Sequence, residues 1–162
     1  MMLLQPGDIL AWCVTPDAPL VGRMIGWAER QLGDQKGDAA YYHVAIVSQN
    51  ITEMYASRPP KIDLYPTPLP LPNYIELHRL RIAPDSDQLK AVFSYAESRR
   101  GRPYDFLGVL TVGNVEMGGL EFCSKYVLDC FAEAQIVLAP NVQFPTPDDI
   151  GGSDLTYVVG NV

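Results

Sequence analysis

Three short runs of apolar, β-branched and aromatic residues follow one another between positions 41 and 66. They constrain the fold more than any other feature of the chain. The runs are YYHVAIVSQ, ITEMYAS and KIDLYP, separated only by Asn50 and by the stretch RPP. Strand-forming residues interrupted by turn residues at such short intervals are typical of antiparallel strands joined by tight connections. The sequence therefore predicts an antiparallel meander with its first turn at Asn50.

Further strand-like and helix-like runs lie on both sides of this meander. Strands are predicted over residues 8–14, 74–82 and 155–160. Helices are predicted over residues 15–33, 86–100 and 122–135, with a short capped turn at residues 146–150. No internal repeat or long linker interrupts the 162 residues. We expect one α+β domain over residues 1–162, with a small antiparallel sheet or barrel packed against helices.

Charge and hydropathy exclude several functional classes. Twelve Lys and Arg against nineteen Asp and Glu give a net charge of −7, which argues against non-specific binding to nucleic acid. No run approaches the roughly 20 apolar residues of a membrane-spanning helix. The start, MMLLQPGDIL, lacks the basic region of a secretory signal, so we expect a cytoplasmic protein with reduced cysteines. The sequence indicates no cofactor and does not indicate an oligomeric state.

Cys123 is the first candidate for chemistry, because it opens the predicted helix FCSKYVLDC just after Gly118 and Gly119. Backbone N–H groups and the helix dipole at such a position lower the pKa of a thiol and can bind an oxyanion. The alternative is a buried cysteine that only fills the core. Cys130, two turns along the apolar stripe, and Cys13, inside an apolar strand, are predicted to be core residues.

His43 supplies a possible base, since it opens the otherwise apolar run HVAIV. A cysteine–histidine pair needs a third polar group that orients the imidazole, and Glu53 is the leading candidate across the turn at Asn50. Fallback candidates for that third group are Asp8, Asp63 and Asp105. The alternatives are a structural histidine and a solvent-facing glutamate. His78, the other histidine, is predicted to be a solvated strand position.

Taken in order, the motifs resemble a known family. PGDIL, YYHVAIV, ITEMYA, GRPYDF, FCSKYV and TPDDI are similar to motifs of the circularly permuted branch of NlpC-type, papain-like cysteine peptidases, the YiiX-like group. In that branch the histidine precedes the cysteine, as it does here. The resemblance extends from about Pro6 to Ile150 and implies a papain-like fold. It implies Cys123 as nucleophile, His43 as base, Glu53 as orienting residue and Tyr104 as a pocket residue, with Asp8 in a structural turn.

The expected activity is that of a cysteine amidase or peptidase on a small amide or peptide, possibly derived from a cell wall. One alternative keeps the same residues in a lipid-directed thiol acyltransferase or thioesterase, with GVLTVGNVEMGGL (108–120) lining an acyl pocket. A second alternative is a non-catalytic peptide-binding module. A third is a metal site formed by His43, Glu53 and Cys123, although papain-like chemistry needs no metal.

Overall fold

Six strands form one antiparallel sheet in the computed structural model, which describes residues 3–15, 41–105, 121–140, 142 and 145–159. The strands are β1 (Ile9–Cys13), β2 (Tyr41–Val47), β3 (Glu53–Arg58), β4 (Lys61–Pro66), β5 (Ile75–Leu80) and β6 (Thr156–Val158). Their spatial order is β4-β3-β2-β1-β5-β6. The described ranges also contain the helices α1 (Ser86–Ser98), α2 (Cys123–Glu133) and α3 (Pro147–Gly151).

The meander predicted from residues 41–66 is confirmed as β2, β3 and β4. Its first turn lies at Asn50, whose carbonyl accepts a hydrogen bond of 2.8 Å from the Glu53 N–H. The other predicted strands are confirmed as β1, β5 and β6. The predicted helix over 15–33, apart from its first residue, and the segment 106–120 lie outside the described residues. The structure is therefore an α+β fold with an antiparallel sheet.

The two faces of the sheet carry different cores. One face, here called the helix face, includes Ile9, Val44 and Ile46 and packs with Phe131 and other buried residues of α2. The opposite face, here called the second face, includes residues such as Ala45 and packs into a separate cluster. Because side chains alternate along a strand, neighbouring residues of β2 belong to different cores. A residue's place in the register thus decides which core it joins.

The composition of the proline-dense link TPLPLPN predicts an extended surface segment, but part of the link is buried. Leu71 is buried and joins the cluster on the second face, and Thr67 is also buried. An apolar sheet face has to be covered to keep it from water, and this link contributes to that cover. The prediction was wrong for these two residues because proline composition does not show what a segment packs against.

Two of the described helices begin with the side-chain caps that the sequence predicts. Asp85 caps α1 and Thr146 caps α3, in each case through a reciprocal capping box. Pro147 is the first residue of α3, where its missing N–H costs nothing. In the part of the chain that the structure describes, no helix is long and apolar enough to cross a membrane.

Candidate active site

Cys123 is the first residue of α2, as the sequence predicts. Phe122 occupies the N-cap position and has no side-chain oxygen that could accept from the N–H groups of the first turn, and no side-chain hydrogen bond caps this end of the helix. The Tyr126 N–H closes the first turn on the Phe122 carbonyl at 2.9 Å. Cys123 is only 2% exposed and belongs to the core of the helix face. The start of α2 therefore combines a buried thiol with a first turn that no side chain caps, at the positive end of the helix dipole.

The segment that leads into α2 is held by backbone contacts from other elements. The Ser57 hydroxyl at the end of β3 donates to the Glu121 carbonyl at 2.6 Å. The Asp105 N–H donates to the same carbonyl at 3.4 Å. One turn into the helix, the buried Ser124 hydroxyl donates to the Pro145 carbonyl at 2.7 Å. Three separate parts of the chain thus fix where the cysteine lies.

The Glu121 side chain adds a buried ion pair next to the helix start. It is 1% exposed and pairs with the half-buried guanidinium of Arg99. The Tyr95 hydroxyl donates to the same carboxylate oxygen at 3.1 Å. Burial, followed by the negative charge of Glu121, raises the pKa of Tyr95 above its ordinary value. The carboxylate thus ties the beginning of α2 to the end of α1.

Tyr104 lies beside Cys123. It is buried, and it forms a β-bridge with Glu121. Burial raises the pKa of its phenol, and the negative forms of Cys123 and Asp105 raise that pKa further. Cys123 and Tyr104 are therefore the two predicted site residues that the structure brings together. That Tyr104 lines a substrate pocket remains a prediction.

His43 is paired with Trp12 across β1 and β2, and their ring centroids lie 4.9 Å apart. Its Nε2 atom is buried and has no hydrogen-bond partner. Burial lowers the pKa of His43 to about 3, and the nearby positive charge of Arg58 acts in the same direction. The imidazole is therefore neutral near pH 7. Since buried polar atoms are nearly always hydrogen-bonded, this nitrogen is an exception, but both ring nitrogens of His78 share that property, so it does not by itself distinguish His43 from a structural histidine.

Cys123 and His43 lie at the same end of the sheet but belong to different faces. Ser57 holds the approach to Cys123. The antiparallel pair Ile46–Tyr55, continued along both strands, brings the end of β3 with Ser57 to the start of β2, where His43 lies. Along β2, however, His43 alternates with Val44 and falls on the second face with Ala45. The structure brings the two residues to one edge without aligning them on one face.

Glu53 is not brought to His43. The tight turn at Asn50 places Glu53 next to Ser48, whose N–H donates to the Glu53 carbonyl at 2.9 Å. The Asn50 side-chain amide donates to the Glu53 carboxylate at 3.3 Å. His43 precedes Ser48 by five residues, which corresponds to about 16 Å at the usual rise of a strand. The proposed orienting role of Glu53 does not fit this geometry, because a short hairpin pairs Glu53 with the wrong end of β2.

Two of the three fallback carboxylates are engaged in ion pairs elsewhere. Asp8 pairs with Arg79 at 2.8 Å and supports the opening turn. Asp63 pairs with Lys61 and Arg100, and the hydrogen bond from Lys61 lowers its pKa to about 2. The backbone of Asp105 bonds to Glu121 beside the helix start. None of these observations assigns a partner to the imidazole of His43.

His78 is buried rather than solvated, so that prediction was wrong. It is 1% exposed, and in β5 it lies directly opposite Ile9 of β1, which places it on the helix face. Its Nε2 lies 3.5 Å from a Glu76 oxygen that also accepts a 2.5 Å hydrogen bond from the Tyr41 hydroxyl. Burial lowers the pKa of His78, and Glu76 opposes that effect. The alternation in IELHRL could have shown that Glu76 and His78 share a face.

No disulfide joins Cys13, Cys123 and Cys130, all of which lie in the part of the chain that the structure describes. Cys130 is in the core, as predicted, and burial raises its pKa well above the ordinary value. Cys13 is half-buried against the same core, where burial and then Glu76 raise its pKa. Within the described ranges, no three His, Cys, Asp or Glu side chains are close enough together to hold a metal ion. His43, Glu53 and Cys123 therefore do not form the metal site considered from the sequence.

Comparison with solved structures shows the fold. The crystal structure of the metalloprotein YiiX from Escherichia coli O157:H7 (DUF1105) superposes with a TM-score of 0.67, over 98% of this chain and 97% of that chain. The sequence identity is 12%, so the likeness establishes a YiiX-like fold and not a shared activity. No protein-family model matches the chain, and no curated protein matches it in sequence.

Proposed function

We propose that this chain is a cysteine hydrolase of papain-like, permuted NlpC type that cleaves a small amide or peptide, with Cys123 as its nucleophile. The observation that carries the proposal is the position of Cys123 at the side-chain-uncapped start of α2 in a YiiX-like fold. The other two described helices begin with capping boxes, so this end alone among them keeps its dipole open to a thiolate.

The reaction follows from the chemistry of a thiol and an imidazole. The Cys123 thiolate attacks the amide carbonyl, and the tetrahedral oxyanion is held by N–H groups at the start of α2. The leaving amine takes a proton from the imidazolium form of His43, which has received the thiol proton. Water then hydrolyses the thioester and regenerates the thiol. His43 is neutral near pH 7, as a proton acceptor has to be, but the burial that lowers its pKa to about 3 opposes formation of the imidazolium, so proton transfer requires that burial to be relieved when substrate binds.

The geometry limits how His43 takes part. Because the imidazole and Cys123 lie on different faces at one end of the sheet, proton transfer requires a movement of His43 at the strand end or a bridging water or substrate atom. Glu53 has no place in this mechanism, so the proposal is a Cys123–His43 pair with no assigned third member. Tyr104, beside Cys123, is the residue best placed to contact a substrate from the helix side.

Alkylation with iodoacetamide tests the proposal. We expect Cys123 to react at least tenfold faster than Cys13 and Cys130 near neutral pH, because burial raises the pKa of both other thiols. The modified residue is identified by mass spectrometry of peptides, and the two other cysteines are internal controls. In His43→Gln, the pH midpoint of Cys123 labelling should be unchanged, because the neutral imidazole carries no charge that stabilises the thiolate, whereas turnover of an amide should be lost. Equally slow labelling of all three thiols would refute the nucleophile.

A non-catalytic binding module is the second candidate, favoured by two specific observations. Glu53 lies far from His43, and Cys123 is almost completely buried. Under this alternative, Cys123→Ala leaves peptide binding unchanged, and the wild-type protein turns over neither amides nor esters. Turnover of an amide by the wild type, lost in Cys123→Ala, excludes it.

A further inference from the structure

Arg58, unlike Arg79, Arg99 and Arg100, has no carboxylate partner in the part of the chain that the structure describes. Arg79 pairs with Asp8, Arg99 with Glu121 and Arg100 with Asp63. Within the described ranges, no ion pair involves Arg58, although the chain carries a net charge of −7. The guanidinium is exposed, so an anion can reach it from solvent.

The guanidinium is nevertheless held in one place. Its central carbon lies 3.9 Å from the centroid of the Tyr65 ring, so the planar group packs against an aromatic face. A cation stacked in this way keeps its N–H groups free for an acceptor in the plane of the group, and the stacking limits its rotation. Arg58 is therefore a preorganised donor and not a freely moving surface charge.

Arg58 also borders the proposed active site. Continued three residues beyond the Ile46–Tyr55 pair, the β2–β3 register brings Arg58, at the end of β3, to the level of His43. The residue before it, Ser57, donates to the Glu121 carbonyl two positions before Cys123. The positive charge of Arg58 is felt at His43. One strand end thus links the unpaired cation to both proposed catalytic residues.

We propose that Arg58 binds a carboxylate of the substrate, so that the substrates are acidic amides or peptides with a free carboxylate near the scissile bond. This inference rests on the proposed function for its meaning as a substrate site. A guanidinium offers two parallel N–H donors that match the two oxygens of a carboxylate. The bound anion would also compensate the positive charge beside His43, which favours proton transfer to the imidazole.

The first test measures binding without any chemistry. N-acetylglycine and its neutral amide, N-acetylglycinamide, are titrated into the whole protein while the Arg58 side-chain N–H is followed by NMR. We expect saturable shifts with N-acetylglycine and at least tenfold weaker binding of the amide. Arg58→Gln should lose that preference, and Arg81→Gln, which removes an exposed arginine bonded to the Asp154 carbonyl, should keep it. Equal binding of the two compounds by the wild type would overturn the inference.

The second test places the anion site next to Cys123. Alkylation by negatively charged iodoacetate is compared with alkylation by neutral iodoacetamide. We expect Arg58→Gln to reduce the iodoacetate rate at least fivefold and to leave the iodoacetamide rate unchanged. Unchanged rates with both reagents would show that Arg58 does not serve this site. If neither reagent modifies Cys123, the proposed nucleophile fails, and the titration alone decides whether Arg58 binds carboxylates. Thermal unfolding of each variant verifies that it is folded.

Discussion

The starts of α1 and α2 are built in opposite ways. At α1, the Asp85 side chain accepts from the N–H groups of Asp87 and Gln88, and the Gln88 side chain accepts from the Asp85 N–H. At α2, Phe122 stands in the N-cap position and no side chain caps the first turn. Side chains close in sequence cap the start of α1, whereas no side chain caps the start of α2.

The comparison shows where the stability of an open helix end comes from. The approach to α2 is fixed by the Ser57 hydroxyl and by the ion pair between Glu121 and Arg99. These contacts come from other elements, and no side-chain hydrogen bond caps the first turn of α2. A capped helix start is stable but chemically closed. A helix start held from outside keeps its electrostatic field for a thiolate.

The largest effect is expected from removing the external support of α2. In Glu121→Ala, the half-buried guanidinium of Arg99 loses its carboxylate, which we expect to lower the free energy of unfolding by about 3 kcal/mol or more. Urea unfolding measures this change. The control is Glu97→Ala, which removes an exposed partner of Arg100 and should cost at most about 1 kcal/mol. Equal losses in the two variants would mean that Glu121 is not the support we describe.

Acid should weaken the fold through His43 on the other side of the sheet. Folded His43 binds a proton only near pH 3, whereas a histidine in the unfolded chain does so near pH 6.5. Between these values the unfolded state holds more protons, so stability is complete above pH 6.5 and falls as the pH decreases.

The slope attributable to His43 is at most about 1.4 kcal/mol per pH unit in that window. His43→Gln should remove that part of the slope, measured by urea unfolding at several values between pH 5 and pH 7. The same slope in the variant and the wild type would contradict the depressed pKa.

The local cap of α1 should have a moderate and separate effect. Asp85→Ala removes the acceptor of two backbone N–H groups and should lower the free energy of unfolding by about 1 kcal/mol. The alkylation rate of Cys123 should not change, because the two helix starts are stabilised independently. A changed rate in this variant would show that the two ends are coupled.

The smallest effect on stability is expected from adding a side-chain cap to α2. The same substitution tests most directly whether the helix dipole lowers the pH midpoint of Cys123 alkylation. In Phe122→Asp, the carboxylate at the N-cap accepts hydrogen bonds from the N–H groups of the first turn, and its negative charge repels the thiolate. We expect the helix dipole to stabilise this carboxylate by about 0.3–1 kcal/mol. The pH midpoint of Cys123 alkylation should rise. Phe122→Leu, which adds no acceptor, should keep the wild-type midpoint. A midpoint that is the same in all three proteins would mean that the dipole does not tune the thiol.

The sequence predicted the parts of the fold that depend on nearby residues. The turn at Asn50 and the cap at Thr146 follow from side chains within a few positions, and the structure confirms both. The position of Cys123 at a helix start was also predictable, because the apolar stripe of α2 begins just after it. These features follow from short-range backbone preferences.

The relation between Glu53 and His43 could not be predicted in the same way. The sequence indicated a hairpin. Its tight turn places Glu53 next to Ser48, so the other end of β3, which carries Arg58, is the end nearer to His43. The burial of His78 was missed because its charged neighbours Glu76 and Arg79 suggested a solvated strand. Charge along a strand does not reveal which face another element covers.

By itself, the sequence determined the strands, the helix starts and the residue types available for chemistry, because backbone propensity and capping act over a few residues. Only the tertiary structure decided which of those residues meet. Strand register and helix packing assign each side chain to one face of the sheet. They placed Tyr104 and Glu121 beside Cys123, set Arg58 against His43, and left Glu53 at the far turn.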